Sequence, residues 1–443
     1  MTDKRNIYSE RCWIDGRLQP ATIGIVDGKI SEIFFGKLTD AEDVHNAIVM
    51  PGAIDAHVHV NEPGRTEWEG FDTATQAAAA GGITTIVDMP LNADPVTVSA
   101  DKLKQKLDAS TGKLNVNAGF YGGLVPGNFH ELEDLMNAGV LGIKCFLTHS
   151  GIDEFPNVEK SDLEKAMPVI AKHGVPLLAH CELYDLPVET RLEEFPGNYK
   201  EYLASRPKKW ENDAIGLMIS LCKEYDCKTH IVHVSSAEAL DAIAFAKKEG
   251  LPLTAETCPH YIFFNAETIP DNDTLYKCAP PIREAGNNEL LKAALVNGTL
   301  DFLATDHSPA PPSIKELDAG DLLKAWGGIA GLQFLLPSGY TALKGIATLE
   351  QFIPLLTEKP AAFLGVNDQK GYLRKGYDAD IVIWQPEEQM TVHENNILHK
   401  HKASPYVGKI LTGVIKETIV NGISVYKDNK IIHKNAGRWL LKK

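Results

Sequence analysis

The sequence predicts an α/β protein: a (β/α)8 barrel with a small β-sandwich module built from the N- and C-terminal segments. Strand-like and helical segments alternate through the middle of the chain, whereas both ends are rich in short strands alone. No glycine-rich nucleotide fingerprint opens a helix, which disfavours the alternative of an open doubly wound sheet. The expected boundaries are residues 1–50 and 366–443 for the module and residues 51–365 for the barrel.

The two ends of the chain have the same strand-rich character. Residues 23–33 alternate between apolar and polar side chains around Asp27-Gly28, a dipeptide typical of a tight hairpin turn. Near the C-terminus, residues 379–384 form one apolar strand candidate, and residues 418–426 give two more around Asn421-Gly422. We expect the two ends to meet in one β-module.

Between the ends, apolar strand candidates are separated by charged helical stretches such as residues 161–172 and 237–248. The strand candidates end at about Val60, Met89, Tyr121, Leu147, Cys181, Val234, Thr257 and Thr305. Eight such units in succession are typical of a closed parallel barrel with an outer ring of helices.

Composition excludes several classes of function. The 443 residues are 44% hydrophobic and 23% charged, as in an ordinary soluble globular protein. The formal net charge of −15 argues against a nucleic-acid partner and against an anionic membrane surface, because both require a cationic face. We therefore expect a small-molecule substrate and neither a nucleic-acid nor a membrane partner.

The cysteines and the N-terminus indicate a cytoplasmic protein. Seven scattered cysteines, an odd number, are typical of reduced thiols. Cys222 and Cys227 are five positions apart, which matches no zinc-finger spacing. No apolar signal segment follows Met1, and no apolar run approaches the roughly 20 residues that span a bilayer.

The strongest local motif is the pair of histidines at the end of the first barrel strand. His57 and His59 lie two residues apart, so on a strand both imidazoles point to the same face. Taken alone, such a pair is also compatible with packed or exposed histidines. Further ligand types end other strands: Lys144, His180, His233 and Asp306. Because the carboxyl ends of barrel strands converge on one mouth, these residues together predict a metal site.

Two interpretations of Lys144 remain open from the residues alone. A protonated ammonium, with a pKa near ~10.4 in water, cannot ligate a cation, so the residue could be an ordinary strand-end lysine. Burial beside a metal would instead favour the neutral amine. The neutral amine can react with carbon dioxide to give a carbamate whose two oxygens can bridge two metals.

These motifs resemble those of the cyclic amidohydrolases, a family that includes dihydroorotases, hydantoinases and allantoinases. The resemblance begins at Pro51-Gly-Ala-Ile-Asp-Ala-His-Val-His59, includes Asp306-His-Ser-Pro309 and covers nearly the whole chain. Within the family, the segments most similar to allantoinases are residues 61–70, 88–92, 142–155 and 278–283. The resemblance implies opening of the hydantoin ring of allantoin to give allantoate.

The resemblance also implies two divalent metal ions. Zinc is favoured by imidazole and oxygen ligands, with cobalt, manganese or iron as alternatives. The implied ligands are His57, His59 and Asp306 for one ion and His180 and His233 for the other, with carboxylated Lys144 (N6-carboxylysine) and a hydroxide bridging them. Asp306 would be the catalytic residue, taking a proton from the attacking water and passing it to the leaving ring nitrogen. A homotetramer is expected from the same resemblance.

Four residues are expected to contact the substrate: Asn61, Asn92, Cys278 and Ser308. A dihydroorotase has an arginine at the position of Asn61, where it holds the substrate carboxylate; a neutral residue better suits the neutral ureido group of allantoin. Ala279 departs from the family, which often has serine there, so a contact through a side-chain hydroxyl is lost while a backbone contact would survive.

Other activities on the same scaffold are alternatives: dihydroorotase first, then hydantoinase or dihydropyrimidinase, and a non-catalytic assembly relative. Several polar residues near the strand ends are not assigned as ligands. We interpret His260 and His307 as structural, His230 as packing, and Arg65 as a loop charge or local ion pair, although a substrate clamp is conceivable for Arg65.

Overall fold

The computed structural model describes residues 4–184 and 187–442. Its strands are β1 Lys4–Ile14, β2 Arg17–Val26, β3 Lys29–Phe34, β4 Glu42–Asp43, β5 Ile48–Pro51, β6 Ala53–Val58, β7 Ile83–Asp88, β8 Asn117–Phe120, β9 Gly122–Gly123, β10 Ile143–Phe146, β11 Leu177–His180, β12 Thr229–Ile231, β13 Leu253–Thr257, β14 Phe302–Leu303, β15 Ile381–Thr391, β16 Ile410–Val420, β17 Ile423–Lys427, β18 Lys430–Ile431 and β19 Trp439–Leu440.

The α-helices of the described residues lie mostly between the strands of the middle region. They are α1 Phe71–Ala80, α2 Ala100–Ser110, α3 Leu132–Asn137, α4 Lys160–His173, α5 Tyr199–Ala204, α6 Lys208–Tyr225, α7 Leu240–Lys248, α8 Pro259–Phe263, α9 Ala285–Asn297, α10 Leu335–Leu343, α11 Leu349–Phe352 and α12 Glu358–Leu364.

Strands from both ends of the chain share one mixed sheet, as the sequence predicts. Its order is β18-β17-β16-β15-β5-β1-β2-β3, with β4 pairing in parallel with β1. The two halves join where β5 pairs antiparallel with β15. Because β5 runs directly into the first strand of the middle region, the module and that region are packed together at this seam.

The two hairpin turns predicted from sequence are confirmed. Asp27-Gly28 joins β2 to β3, and Asn421-Gly422 joins β16 to β17, each with both residues at positive φ. The turns also touch each other, since a Cβ on Gly28 would lie 2.8 Å from the backbone oxygen of Asn421. Glycine is therefore required at residue 28 both by its φ of 78° and by this contact.

The middle of the chain forms two parallel sheets that are connected at both margins. One has the order β19-β8-β7-β6 and the other β14-β13-β12-β11-β10-β9. The chain passes from β8 through Tyr121 into β9, and Val58 pairs in parallel with His307, just beyond β14. The strands end at or slightly before the predicted positions, for example at Ile231 in β12.

Helix α4 illustrates why the intervening segments are helical. Its buried residues Leu163, Ala166, Met167 and Ile170 follow the spacing of one helical face. A capping box at Glu159 begins the helix and left-handed Gly174 ends it, close to the predicted range of 161–172. In residues 4–184 and 187–442, none of the helices combines the length and apolar character needed to cross a lipid bilayer.

All seven cysteines are buried, and none forms a disulfide, as the sequence predicts. Burial raises the pKa of Cys145 to about 12, so this thiol stays protonated at neutral pH. Cys222 and Cys227 have ordinary packing contacts, with the Cys222 thiol against the carbonyl oxygen of Cys227. The core is therefore stabilised without covalent cross-links.

Candidate metal centre and active site

The strand ends converge on a cavity of about 530 Å³. All six residues expected as metal ligands line it: His57, His59, Lys144, His180, His233 and Asp306. Four of the six lie within the last residues of a parallel strand or one residue beyond it, while His233 and Asp306 follow β12 and β14 closely. The parallel arrangement of the strands is what brings these distant positions together.

His57, His59 and Asp306 form the most compact group. Asp306 Oδ1 lies 3.1 Å from His57 Nε2 and 3.2 Å from His59 Nε2. One ligand atom from each residue lies within 4.8 Å of the others, so the group is compact enough to hold one metal ion.

Hydrogen bonds fix which nitrogen of each imidazole faces this group. His57 Nδ1 donates to Glu256 Oε1 at 2.6 Å, and His59 Nδ1 donates to the backbone oxygen of Leu91 at 2.9 Å. A carboxylate and a carbonyl only accept, so each Nδ1 carries the proton. The Nε2 lone pairs are left to bind a metal.

His180 and His233 lie against this group on its other side. The centroid of the His233 ring is 4.7 Å from that of His180 and 5.4 Å from that of His57. His180 Nε2 contacts Glu182 Oε2 at 2.8 Å, which leaves His180 Nδ1 for a ligand. His233 Nδ1 is buried and has no hydrogen-bond partner among the described residues.

Lys144 is fully buried and lines the same cavity as the four histidines. Its Nζ has no hydrogen-bond partner in residues 4–184 and 187–442, and it lies 5.0 Å from the centroid of the Phe146 ring. Burial lowers the pKa of Lys144 to about 8. The surroundings thus increase the fraction of neutral amine, which is the form that reacts with carbon dioxide.

Asp306 is held as a carboxylate. Burial alone would raise its pKa, but the neighbouring imidazoles of His57 and His59 bring the pKa far below its usual value. Asp306 and His233 also have left-handed backbones, with φ of 45° and 40°. Asp and His tolerate this region better than most residues, and such strained positions cluster at functional sites.

Residues 48–425 match the Amidohydrolase family. The chain belongs to this family. Metal dependence is a property of the family, and among the described residues of this amidohydrolase His57, His59 and Asp306 form a group that could hold an ion.

Relatives of this amidohydrolase match over nearly its full length. A protein named "Probable allantoinase" from Oryza sativa subsp. japonica is 44% identical, covering 99% of this chain and 90% of the relative. An allantoinase from Arabidopsis thaliana is 43% identical, covering 92% and 84%. Among solved structures, L-hydantoinase (dihydropyrimidinase) from Arthrobacter aurescens is 30% identical with a TM-score of 0.90, covering 100% of both chains.

The residues expected to contact the substrate occupy two layers. Asn92 and Ser308 line the cavity. Asn61 is buried behind it, where it donates to the backbone oxygen of Pro309 at 3.2 Å and accepts from Asn92 Nδ2 at 3.4 Å. Cys278 is also buried, and its carbonyl accepts from Tyr202 at 2.7 Å, while the neighbouring Ala279 reaches the cavity. Asn61 and Cys278 thus support the lining residues.

The polar residues not assigned as ligands lie outside the compact group. Arg65 lines the cavity, where it pairs with Glu154 at 2.9 Å and donates to the carbonyl oxygen of Asn92 at 2.6 Å. His230 stacks on Phe302, as expected for packing, with ring centroids 5.2 Å apart. His230 Nε2 also lies 3.2 Å from Glu256 Oε2, a contact that we did not predict.

Two carboxylates and an arginine near the candidate ligands were not predicted from the sequence. Glu182 stands two residues after His180, and Glu256 lies next to the end of β13, so their positions at strand ends were a usable signal. Arg206 lines the cavity but precedes α6 in a segment without a strand-end pattern. Only the tertiary structure brings it to the site.

Proposed function

We propose that this chain hydrolyses the hydantoin ring of allantoin to give allantoate, at the mouth of a closed (β/α)8 barrel. The observation that carries the proposal is the cavity in which four imidazoles, a buried lysine and the Asp306 carboxylate converge. The similarity to allantoinases over 99% and 92% of the chain supports the choice of substrate.

The residues present fit a divalent metal centre. The unpartnered Nζ of Lys144 and Nδ1 of His233 are buried polar atoms that a protein leaves without partners only at a cost. His57, His59 and Asp306 would hold one ion, and His180 and His233 a second, with Lys144 carboxylated between them. Bound metals would lower the pKa of a water molecule and would stabilise the negative charge that develops on the ring carbonyl oxygen. Zinc suits these donors.

Asp306 carries the proton transfers. Its carboxylate accepts a proton from the water that adds to the ring carbonyl beside C5. When the C–N bond breaks, Asp306 returns this proton to the departing ring nitrogen. The carbonyl carbon becomes the carboxylate of allantoate, and the nitrogen ends in a second ureido group. One water is consumed, and Asp306 regains its initial state.

A second candidate, hydantoinase or dihydropyrimidinase activity, is favoured by the match of the whole fold to the Arthrobacter aurescens enzyme. Dihydroorotase activity is less well supported. The position two residues after His59 holds Asn61, which is neutral and already donates a hydrogen bond to the carbonyl oxygen of Pro309. A substrate carboxylate would lack a cationic partner at that position.

Ring opening by the purified, zinc-loaded chain tests the proposal. Allantoin, hydantoin and dihydroorotate are supplied in parallel, and product is followed by chromatography. We expect the highest kcat/KM with allantoin, and we expect Asp306→Asn to lower kcat by at least about 100-fold. A clear preference for dihydroorotate or hydantoin would overturn the choice of substrate. Metal content by elemental mass spectrometry and mass by light scattering would test two ions per chain and a homotetramer.

A further inference from the structure

Arg206 is a cavity-lining cation with one edge of its guanidinium fixed by the protein. Its Nε donates to Glu182 Oε1 at 3.0 Å, and its Nη2 forms a short ion pair with Glu182 Oε2. This bidentate geometry holds the plane of the guanidinium as well as its position. The carbonyl oxygen of Arg206 is also held, by a hydrogen bond from Arg283 at 2.8 Å.

The carboxylate that fixes Arg206 also contacts a metal-ligand candidate. Glu182 Oε2 lies 2.8 Å from Nε2 of His180, and the Glu182 side chain is 1% exposed. The guanidinium is therefore fixed relative to His180 through a single buried carboxylate. A group held in this way can present donors at a defined distance from the reacting carbonyl.

The opposite edge of the guanidinium, at Nη1, is not used by the contacts with Glu182. Among the described residues, Nη1 of Arg206 has no hydrogen-bond partner, and the side chain is 26% exposed where it lines the cavity. The Nη1 amine therefore keeps two N–H donors for a ligand. By contrast, Arg65 directs both of its Nη groups to protein oxygens, at Asn92 and Glu154.

We propose that Nη1 of Arg206 donates to the ureido oxygen of the substrate, which makes Arg206 a specificity-determining residue. This inference rests on the proposed function and names the group that selects its substrate. The ureido arm is attached to the carbon next to the carbonyl that is attacked. With that carbonyl beside Asp306, the arm can extend past His180 toward Arg206. A urea oxygen is a strong neutral acceptor and can take a hydrogen bond from one N–H of the cationic guanidinium.

Two substitutions separate recognition of the ureido arm from support of His180. Arg206→Lys keeps a positive charge for Glu182 but loses the second edge of the guanidinium. Arg206→Met removes the positive charge as well as the guanidinium. Arg191→Met is the matched control, because Arg191 is 61% exposed and pairs with Glu194 on the surface. Allantoin is compared with hydantoin, which has the same ring without the ureido arm and is tested as a substrate and as a competitive inhibitor.

We expect Arg206→Lys to lower kcat/KM for allantoin by roughly 10- to 100-fold, the effect of losing a hydrogen bond from a charged donor. Its kcat/KM or Ki for hydantoin should change less than about threefold, within the usual context dependence of such contacts. Metal content should match that of the wild type. Arg206→Met should show the same loss for allantoin, and Arg191→Met should show none.

An equal change for allantoin and hydantoin in Arg206→Lys would overturn the inference, because the arginine would then serve only Glu182 and His180. No change for either compound would overturn it as well. The activity of the wild-type protein distinguishes a failure of this inference from a failure of the proposed function. If the wild type opens hydantoin but not allantoin, the substrate assignment itself is wrong, and the inference falls with it.

Discussion

At the scale of single residues, the partners of the imidazoles determine what the site can do. Four of the histidines that line the cavity are candidate ligands, and a histidine binds a metal only through a nitrogen without a proton. Glu256, Glu182 and the carbonyl of Leu91 occupy the other nitrogen of three of them. Backbone φ values of 45° at Asp306 and 40° at His233 aim two further side chains at the same space.

Glu256 provides the residue-scale prediction. Its Oε1 accepts from His57 Nδ1, and its Oε2 lies near His230, so it is an anion buried behind a metal-ligand candidate. Glu256→Gln keeps the shape and removes the charge that makes the imidazole of His57 more basic. We expect metal affinity to fall by about 10- to 100-fold. To measure it, the protein is incubated with increasing concentrations of a chelator, and the zinc that remains bound is determined by elemental mass spectrometry.

Glu133→Gln is the matched control for Glu256→Gln, because Glu133 is 57% exposed, pairs with Lys172 and does not line the cavity. It should retain zinc like the wild type. If Glu256→Gln also retained zinc like the wild type, the contact with His57 would have no influence on the metal.

At the scale of elements, the paired hairpin turns connect the N-terminal and C-terminal parts of the mixed sheet. The turn at Asp27-Gly28 contacts the turn at Asn421-Gly422 through the backbone. Ala379 bonds to both turns, since its N–H donates to Gly28 and its oxygen accepts from Gly422. Two local turns thereby become one long-range contact.

Gly28→Ala tests this contact. The substituted residue would have to adopt a φ of 78° and place a methyl group 2.8 Å from the Asn421 oxygen. Gly112→Ala is the matched control, with a φ of 72° and nothing within 4 Å of the new methyl group. We expect about 1–2 kcal/mol of destabilisation at Gly112 from backbone strain. Gly28→Ala should cost a further ~1–3 kcal/mol from overpacking. Urea unfolding measures both, and equal losses would contradict the contact.

At the scale of the whole molecule, the C-terminus returns to the sheet that carries the first ligands. Strand β19 pairs in parallel with β8, with Trp439 opposite Ala118 and Leu440 opposite Gly119. Leu440 is 6% exposed and belongs to an apolar cluster that includes Leu141. Trp439 and Leu440 therefore cover an edge of β8 that would otherwise be unpaired.

Leu440→Ala tests the contribution of this terminal strand. We expect the free energy of unfolding to fall by about 2–5 kcal/mol, the usual cost of truncating a buried leucine. Leu290→Ala is the matched control, because Leu290 is 58% exposed and should change stability by less than about 0.5 kcal/mol. Thermal unfolding of the metal-loaded proteins measures both. A Leu440→Ala variant as stable as the control would mean that β19 is dispensable.

Local elements, and the strand-end positions of the candidate ligands, could be predicted from the sequence. Tight turns and amphipathic helices depend on neighbouring residues, so Asp27-Gly28, Asn421-Gly422 and α4 could be predicted from their own segments. The strand-end positions of His57 and Lys144 were also readable, because parallel strands direct their carboxyl ends to one mouth.

Contacts between distant segments could not be predicted in this way. Asn61 was expected at the substrate, but the fold directs its side chain to Pro309 and Asn92 behind the cavity. Arg206 reaches the cavity, and β19 reaches β8, without a local pattern that predicts either. The physical reason is that the pattern of apolar and polar residues along the chain shows only which face of each segment can be buried. Which side chain then contacts Glu182 or the edge of β8 depends on packing between segments far apart in sequence.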